Sequence, residues 1–370
     1  MASIRIIFAG GGTGGHLFPA LAIADEIKKL EPNAEILFVG TRDKLEARVV
    51  PNKGYPFRSI WISGFHRGLR PSNLLFPVKL IVAMIQGLWI IKDFKPNVVV
   101  GTGGYVSGPV LYSATMLKIP TLIQEQNQYP GKTTRFLAKR VNELHLAFEQ
   151  SKQYFSRMEN IFVTGNPTRN DLENVHITEA LKYFGFQPSD TRKTLLVFGG
   201  SLGAHTINKA VKNNLGQLIA LNIRLIWQTG SQDFEDAKGV CEGYSSENVW
   251  CSAFIDRMDY AYAVSDLIIC RSGATTIAEL TRLGKPAILV PYPHAAANHQ
   301  VENAKTLSES GAAAVIYDHE ISEKMYSTVS LLLNDKTLTQ MSEQSKMLGK
   351  PHAAQHIAQR VLQLARSKTL

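Results

Sequence analysis

The sequence predicts an α/β protein made of two doubly wound parallel-sheet domains, and three observations predict it. The chain has 370 residues, about two and a half times a typical domain of roughly 150. A β-rich apolar run, a glycine loop and an apolar stripe at helical spacing follow one another repeatedly, the pattern that parallel strands and crossover helices leave in sequence. The pattern that begins near residue 4 recurs near residue 194, so each half is expected to own a sheet. A composition of 45% hydrophobic and 19% charged residues, with 28 Gly and 16 Pro, excludes a disordered chain, a fibrous repeat and a coiled coil.

The first strand is predicted at Ile4-Arg-Ile-Ile-Phe-Ala9, which enters Gly10-Gly-Gly-Thr-Gly-Gly-His16 and a helix striped by Leu17, Ala20, Leu21, Ala24 and Ile27. Its apolar run is shorter than the roughly 7–15 residues of a secretion signal's core, so it reads as a strand. Residues 74–91 hold 14 apolar residues of 18 and predict a helix over 77–91, with Pro77 in the first turn. Fifteen residues reach about 22 Å, short of a hydrocarbon layer of roughly 30 Å, so this helix is expected not to span a membrane. Part of it suits a buried crossover. Arg67, Arg70, Lys79, Lys92 and Lys95 around it, with Leu74, Leu75 and Phe76 as apolar wedges, predict that region 64–92 docks on an anionic leaflet.

Val98-Val-Val100 enters a second glycine loop, Gly101-Thr-Gly-Gly-Tyr-Val-Ser-Gly108. Thr194-Leu-Leu-Val-Phe198 enters Gly199-Gly-Ser-Leu-Gly203 ahead of Ile207, Ala210, Val211 and Leu215, and Leu267-Ile-Ile-Cys270 enters Arg271-Ser-Gly-Ala274 ahead of Ile277 and Leu280. Gly165-Asn-Pro-Thr-Arg169 is rich in turn formers and reads as a linker. Ala354, Ile357, Val361 and Leu364 mark a closing amphipathic helix. Domains are therefore expected over 1–164 and 165–345, with a helix in 346–370 returning to the first.

The net charge of +9 is localised: residues 1–165 carry 20 basic and 11 acidic side chains, residues 166–370 carry 20 of each, and residues 51–100 alone hold 7 against 1. A basic face points to an anionic surface or ligand. Neither a zinc finger nor an RNP-type aromatic motif accompanies it, so no nucleic-acid partner is expected. Cys241, Cys251 and Cys270 are odd in number and too widely spaced for a Cys-x-x-Cys metal or redox pair, which implies a reduced, cytosolic compartment.

A glycine loop between a strand and a helix gathers free backbone N–H groups and the positive dipole end at one spot, which suits phosphate; each such loop alone is equally a tight turn for close packing. Gly10-x-Gly12-x-x-Gly15 also meets the dinucleotide fingerprint. That fingerprint needs an acidic residue closing the second strand, and Ile36-Leu-Phe-Val-Gly-Thr41 lacks one, with Asp43 two residues late. Four loops at strand carboxyl ends favour an anionic ligand shared in a cleft, such as a nucleotide sugar.

Together, Gly10-Gly-Gly-Thr-Gly-Gly-His16, Gly103-Gly-Tyr-Val-Ser-Gly-Pro109, Glu125-Gln-Asn127, Gly165-Asn-Pro167 with Arg169, Gly199-Gly-Ser-Leu-Gly-Ala204 and Arg271-Ser-Gly-Ala274 with Glu279 resemble the MurG family of peptidoglycan N-acetylglucosaminyltransferases, enzymes of GT-B fold. The resemblance runs in order from residue 4 to about residue 304. It implies inverting transfer of N-acetylglucosamine from UDP-GlcNAc to the muramoyl 4-hydroxyl of lipid I, giving lipid II for cell-wall growth, cell shape and division. It also implies an N-terminal domain that binds acceptor and membrane, a C-terminal domain that binds donor, and a peripheral position on the cytoplasmic face of the inner membrane, near other cell-wall synthesis proteins.

By matching position, Thr13, Gly14 and Gly15 would lie near the donor diphosphate and acceptor, with Asn127 and Arg169 reaching the donor. Ser201 would meet a phosphate, Ile255 the uracil, Glu279 the ribose and Gln300 the sugar, and further substrate contacts would fall on Tyr105, Ala274, Thr275, Thr276, Ile277 and Ala278. Their chemistry agrees: a carboxylate accepts two ribose hydroxyls, a guanidinium forks onto phosphate and an amide both gives and accepts. Each residue type is equally at home on a solvated surface. His16 is the leading general base and Glu125 the alternate. No cofactor is expected, nor a metal, because no Asp-x-Asp pair follows a strand and helix N-termini can meet the leaving diphosphate.

Two positions depart from the family pattern. Gln124 stands where the motif has His, and His299 stands where a Gln-Gln pair is usual, leaving Gln300 alone. A UDP-GlcNAc 2-epimerase on the same architecture, or a non-catalytic membrane protein that retains UDP-sugar binding, are the rival readings.

Overall fold

The computed structural model describes residues 3–64, 75–155, 159–169, 172–200, 203–295 and 298–367. Arg67, Arg70, Leu74 and Ser201 lie outside the described residues. The chain forms two compact units, Met1–Arg169 with Lys350–Leu370, and Asn170–Gly349.

In the first unit, seven parallel strands are described: β1 (Arg5–Gly10), β2 (Glu35–Gly40), β3 (Phe57–Ser59), β4 (Val98–Gly103), β5 (Thr121–Glu125), β6 (Glu143–Leu146) and β7 (Ile161–Val163), in the order β3-β2-β1-β4-β5-β6-β7. Ile6, Ile7, Phe8 and Val98 to Val100 are fully buried, as strands covered by helices on both faces must be. Ile7, Val99 and Ile123 pack against Ile90, Ile91, Val106 and Val110 of helices Phe76–Phe94 and Gly104–Met116. On the other face Ile6, Phe8 and Val100 meet Ile23 and Ile27 of helix Gly14–Leu30, and Ile357, Val361 and Leu362 of the last helix, Ala353–Ser367. Arg360 of that helix grips Glu143 on β6 with two nitrogens, and His145 Nε2 lies 3.0 Å from the same carboxylate.

The helix expected over 77–91 runs over Phe76–Phe94, with Pro77 in its first turn. It continues past the apolar run because polar residues cost little on its exposed end. Lys95, left-handed at φ 52° and followed by Pro96, ends it. Val78, Ile81, Ile85 and Trp89 form one stripe, each at least half exposed. The Arg58 guanidinium lies 5.5 Å from the Trp89 ring centre, and Lys79 Nζ lies 5.6 Å from that of Trp61. Among the described residues, no helix is long and apolar enough to cross a membrane.

The second unit has six described parallel strands: β8 (Thr194–Phe198), β9 (Arg224–Gln228), β10 (Val249–Ser252), β11 (Leu267–Cys270), β12 (Ala287–Leu289) and β13 (Ala313–Val315), in the order β10-β9-β8-β11-β12-β13. Trp227 is fully buried in its core and donates its indole N–H to Asn208 Oδ1 at 3.0 Å. In both units the first and fourth strands in sequence lie side by side and the chain winds outward from them in both directions. The carboxyl ends of β1 and β4, and of β8 and β11, therefore border the crevice where such sheets bind ligands.

Candidate active site

In the first unit β1 feeds helix Gly14–Leu30 through extended Thr13, which makes no side-chain cap, so the first N–H groups of the helix remain for a ligand. Thr13 and Gly15 are exposed, and Gly14 and His16 half-buried. Beneath the loop, buried Glu46 accepts from Gly12 N at 3.0 Å, Thr41 N at 3.0 Å and Thr41 Oγ1 at 2.8 Å. It shapes the loop from below.

The loop after β4 closes on His16. Gly103 sits at φ +98°, and a Cβ there would lie 2.7 Å from His16 Nδ1, so a side chain at 103 would displace the imidazole. Tyr105 follows, its ring against Gly12. Burial, only partly opposed by a hydrogen bond with Thr41, raises the Tyr105 phenol above its ordinary value and keeps it neutral. Gln126 Oε1 lies 3.0 Å from His16 Nδ1.

Glu125, buried at the end of β5, accepts from Asn127 N at 3.1 Å, Gly131 N at 3.0 Å and Thr134 Oγ1 at 2.6 Å. Both oxygens are thus engaged in shaping the 127–134 loop, which sets Glu125 apart from His16 as a proton acceptor. Asn127 and Arg169 are half-buried, and Arg169 closes the first unit. Gln124, fully buried, donates to Asn166 Oδ1 at 3.3 Å.

In the second unit, helix His205–Ala220 begins at Ala204, which has no capping side chain. Gly203 is at φ +80°, and a Cβ there would lie 2.0 Å from Thr229 O, so this loop too requires glycine. Gln228, at the end of β9, donates to Gly200 O at 2.9 Å and accepts from Ile255 N at 3.0 Å, tying the glycine loop to buried Ile255. Thr206 Oγ1 donates to Asp318 at 2.6 Å and accepts from Arg271 Nη2 at 2.9 Å, and Arg271 also pairs with Asp318.

After β11, helix Ala274–Leu283 carries buried Ala274 and Ile277 and half-buried Thr275, Thr276 and Ala278. Half-buried Glu279 accepts from Tyr262 Oη at 2.8 Å. Gln300 accepts from Tyr292 N at 3.0 Å through its side chain, and from Ser272 Oγ at 2.7 Å through its backbone. Among the described residues, each unit thus gathers its own predicted residues beyond strand carboxyl ends. Sequence reasoning missed Glu46, Gln126, Gln228 and Tyr262; the terminal position of Gln228 on its strand was the available signal.

Residues 6–146 match the glycosyltransferase family 28 N-terminal domain and residues 194–360 the family 28 C-terminal domain. Relatives named UDP-N-acetylglucosamine--N-acetylmuramyl-(pentapeptide) pyrophosphoryl-undecaprenol N-acetylglucosamine transferase are 42% identical in Parabacteroides distasonis, covering 100% of both chains, and 44% identical in Christiangramia forsetii, covering 99% of both. The chain belongs to the MurG family of glycosyltransferases. The Acinetobacter baumannii MurG structure is similar at TM-score 0.76 and 29% identity, covering 97% of this chain and 99% of that one, in keeping with two Rossmann-like GT-B domains in this MurG-family chain. A Neisseria meningitidis UDP-GlcNAc 2-epimerase, at TM-score 0.69 and 14% identity over 98% of this chain and 100% of that one, shares the fold.

Proposed function

We propose that the chain transfers N-acetylglucosamine from UDP-GlcNAc to the muramoyl 4-hydroxyl of lipid I, inverting the anomeric carbon and yielding lipid II. Its identity of 42–44% along the full length of transferases named for this reaction carries the reading. The 2-epimerase rival rests on likeness at 14% identity, which speaks to fold alone.

The donor is assigned to the second unit. Its glycine loop opens onto an uncapped helix start, and the neighbouring Asp318 carboxylate is paired with Arg271. Ser201 and the open helix N-terminus take the diphosphate, Ile255 meets uracil, Glu279 accepts from the ribose hydroxyls, and Gln300 offers its Nε2 to the sugar. Thr275, Thr276 and Ala278 line the same helix start, and Arg169 supplies positive charge to the leaving diphosphate.

The acceptor is assigned to the first unit, over Thr13, Gly14, Gly15 and Tyr105, while Asn127 reaches the donor. As the 4-hydroxyl oxygen attacks C1, its proton passes to His16 Nε2 and the C1–O bond to UDP breaks. Turnover with a soluble lipid I analogue tests this: UDP and a disaccharide product are expected together, and UDP-ManNAc formation or binding without turnover would overturn it.

The stripe Val78, Ile81, Ile85 and Trp89, edged by Arg58 and Lys79, supports peripheral docking on anionic lipids of the cytoplasmic leaflet, where a lipid-anchored acceptor resides. Flotation with anionic vesicles should show binding that falls with salt and with Ile81→Asp plus Ile85→Asp. Retention of full binding in that variant would refute it.

A further inference from the structure

We infer that Gln126, held by the backbone carbonyls of Thr102 and Gln124, is a positioning residue that fixes His16 as its Nδ1–H tautomer, and that the same hydrogen-bond direction continues through Gln124 to Asn166. The inference rests on the reading of His16 as general base. Gln126 is 2% exposed, and its Nε2 lies 2.8 Å from Thr102 O and 3.0 Å from Gln124 O. Backbone carbonyls only accept, so this end of the amide must be the nitrogen and the end facing His16 must be the oxygen. An amide oxygen also only accepts, so His16 Nδ1, 3.0 Å away, must donate. A neutral imidazole carries one N–H, so Nε2 is left with its lone pair for the acceptor hydroxyl.

The same logic extends inward. Gln126 Nε2 has two hydrogens for three acceptors, so one of them is shared between Gln124 O and Gln124 Oε1, which turns the Gln124 oxygen toward Gln126, and the Gln124 nitrogen then donates to Asn166 Oδ1 at 3.3 Å. All the bonds point one way, from His16 through Gln126 and Gln124 to Asn166, an arrangement in which each strengthens the next. Gln124 and Asn166 are 0% and 5% exposed, so water does not compete for these groups. A glutamine at 124 accepts on one side and donates on the other, as this chain requires. When His16 Nε2 takes the acceptor's proton, the Nδ1–H becomes a stronger donor to Gln126. The amide cannot accept that proton outright, so it stays on the imidazole.

The test is nitrogen NMR of the full-length protein with labelled histidine, His16 being assigned by the signal lost in His16→Ala. A pyrrole-type Nδ1 and a pyridine-type Nε2 are expected, and the reverse pattern would by itself overturn the inference. Gln126→Met should mix the tautomers and lower kcat about tenfold or more while KM for UDP-GlcNAc stays within about twofold. Placed on His16→Ala, it should cost almost nothing further, because Gln126 acts through the imidazole. A full additional loss there would show a role in folding alone and overturn the inference. His16→Ala by itself tests the other reading: undiminished turnover there, with the Nδ1–H signal intact in the unmutated protein, would remove His16 as base and leave its tautomer established.

Discussion

The two units share a strand order and a pair of glycine loops, yet the loops are furnished oppositely. In the first unit a buried carboxylate occupies Gly12 N and an imidazole sits between the loops. In the second, an amide, Gln228, ties the glycine loop to Ile255, and the neighbouring carboxylate, Asp318, is held by Arg271. One topology thus carries two differently furnished pairs of loops. What separates them is which side chain the adjacent strand or helix sends under the loop.

The strongest way to break this contrast is His16→Ala, expected to lower kcat about 10²-fold or more with unchanged calorimetric affinity for UDP. If Glu125→Ala loses more turnover than His16→Ala, the base lies on the other residue. Arg360→Ala should destabilise the first unit by about 2–3 kcal/mol, because Glu143 loses its bidentate cation while buried; its side chain is 39% exposed, which tempers the loss. Denaturant unfolding would show it, with UDP affinity intact if the units divide the labour as proposed.

Glu279→Ala should weaken UDP-GlcNAc binding by about 1–3 kcal/mol, through lost charged hydrogen bonds to the ribose. Unchanged calorimetric affinity would place the nucleoside elsewhere. The smallest effect is expected from EDTA. If uncapped helix N-termini and Arg169 meet the leaving diphosphate, turnover should change less than about twofold. A loss restored by magnesium would contradict that.

Acidification should reach the first unit through β6. Burial lowers the His145 pKa below its ordinary 6.5 despite the hydrogen bond to Glu143, so the folded state binds fewer protons than the unfolded one. Its contribution is full above about 6.5 and is lost as pH falls toward the folded value. Burial alone would raise Glu143, but hydrogen bonds from His145 and Arg360 outweigh it and lower the pKa below 4.5. That contribution disappears at lower pH still. Melting temperature between pH 7 and 4 should therefore fall less in His145→Gln than in the parent.

The strands at the crevices were legible because their signals are local. Thr194–Phe198 and Leu267–Cys270 begin and end where the apolar runs do, and β1 is displaced by one residue. The helix expected over 77–91 gained three residues at its end, where periodicity fades and only Lys95 and Pro96 mark the stop. Side-chain furnishing was not legible. Glu46 meets Gly12 across 34 residues of chain and Gln126 meets His16 across 110, partnerships set by parallel pairing and crossover geometry that no spacing in the sequence encodes. Gln126 lay inside the quoted motif, but nothing in one sequence says which way an amide faces.

The last helix carries a consequence for synthesis. Ile357, Val361 and Leu362 complete a core begun by Ile6 and Phe8, so the first unit to leave the ribosome is the last able to close. The second unit, uninterrupted from Asn170 to Gly349, has all its strands before that helix is made. Until then the face of β1 and β4 that this helix covers stands open, and a nascent chain stalled short of residue 353 holds one finished half and one waiting for its lid.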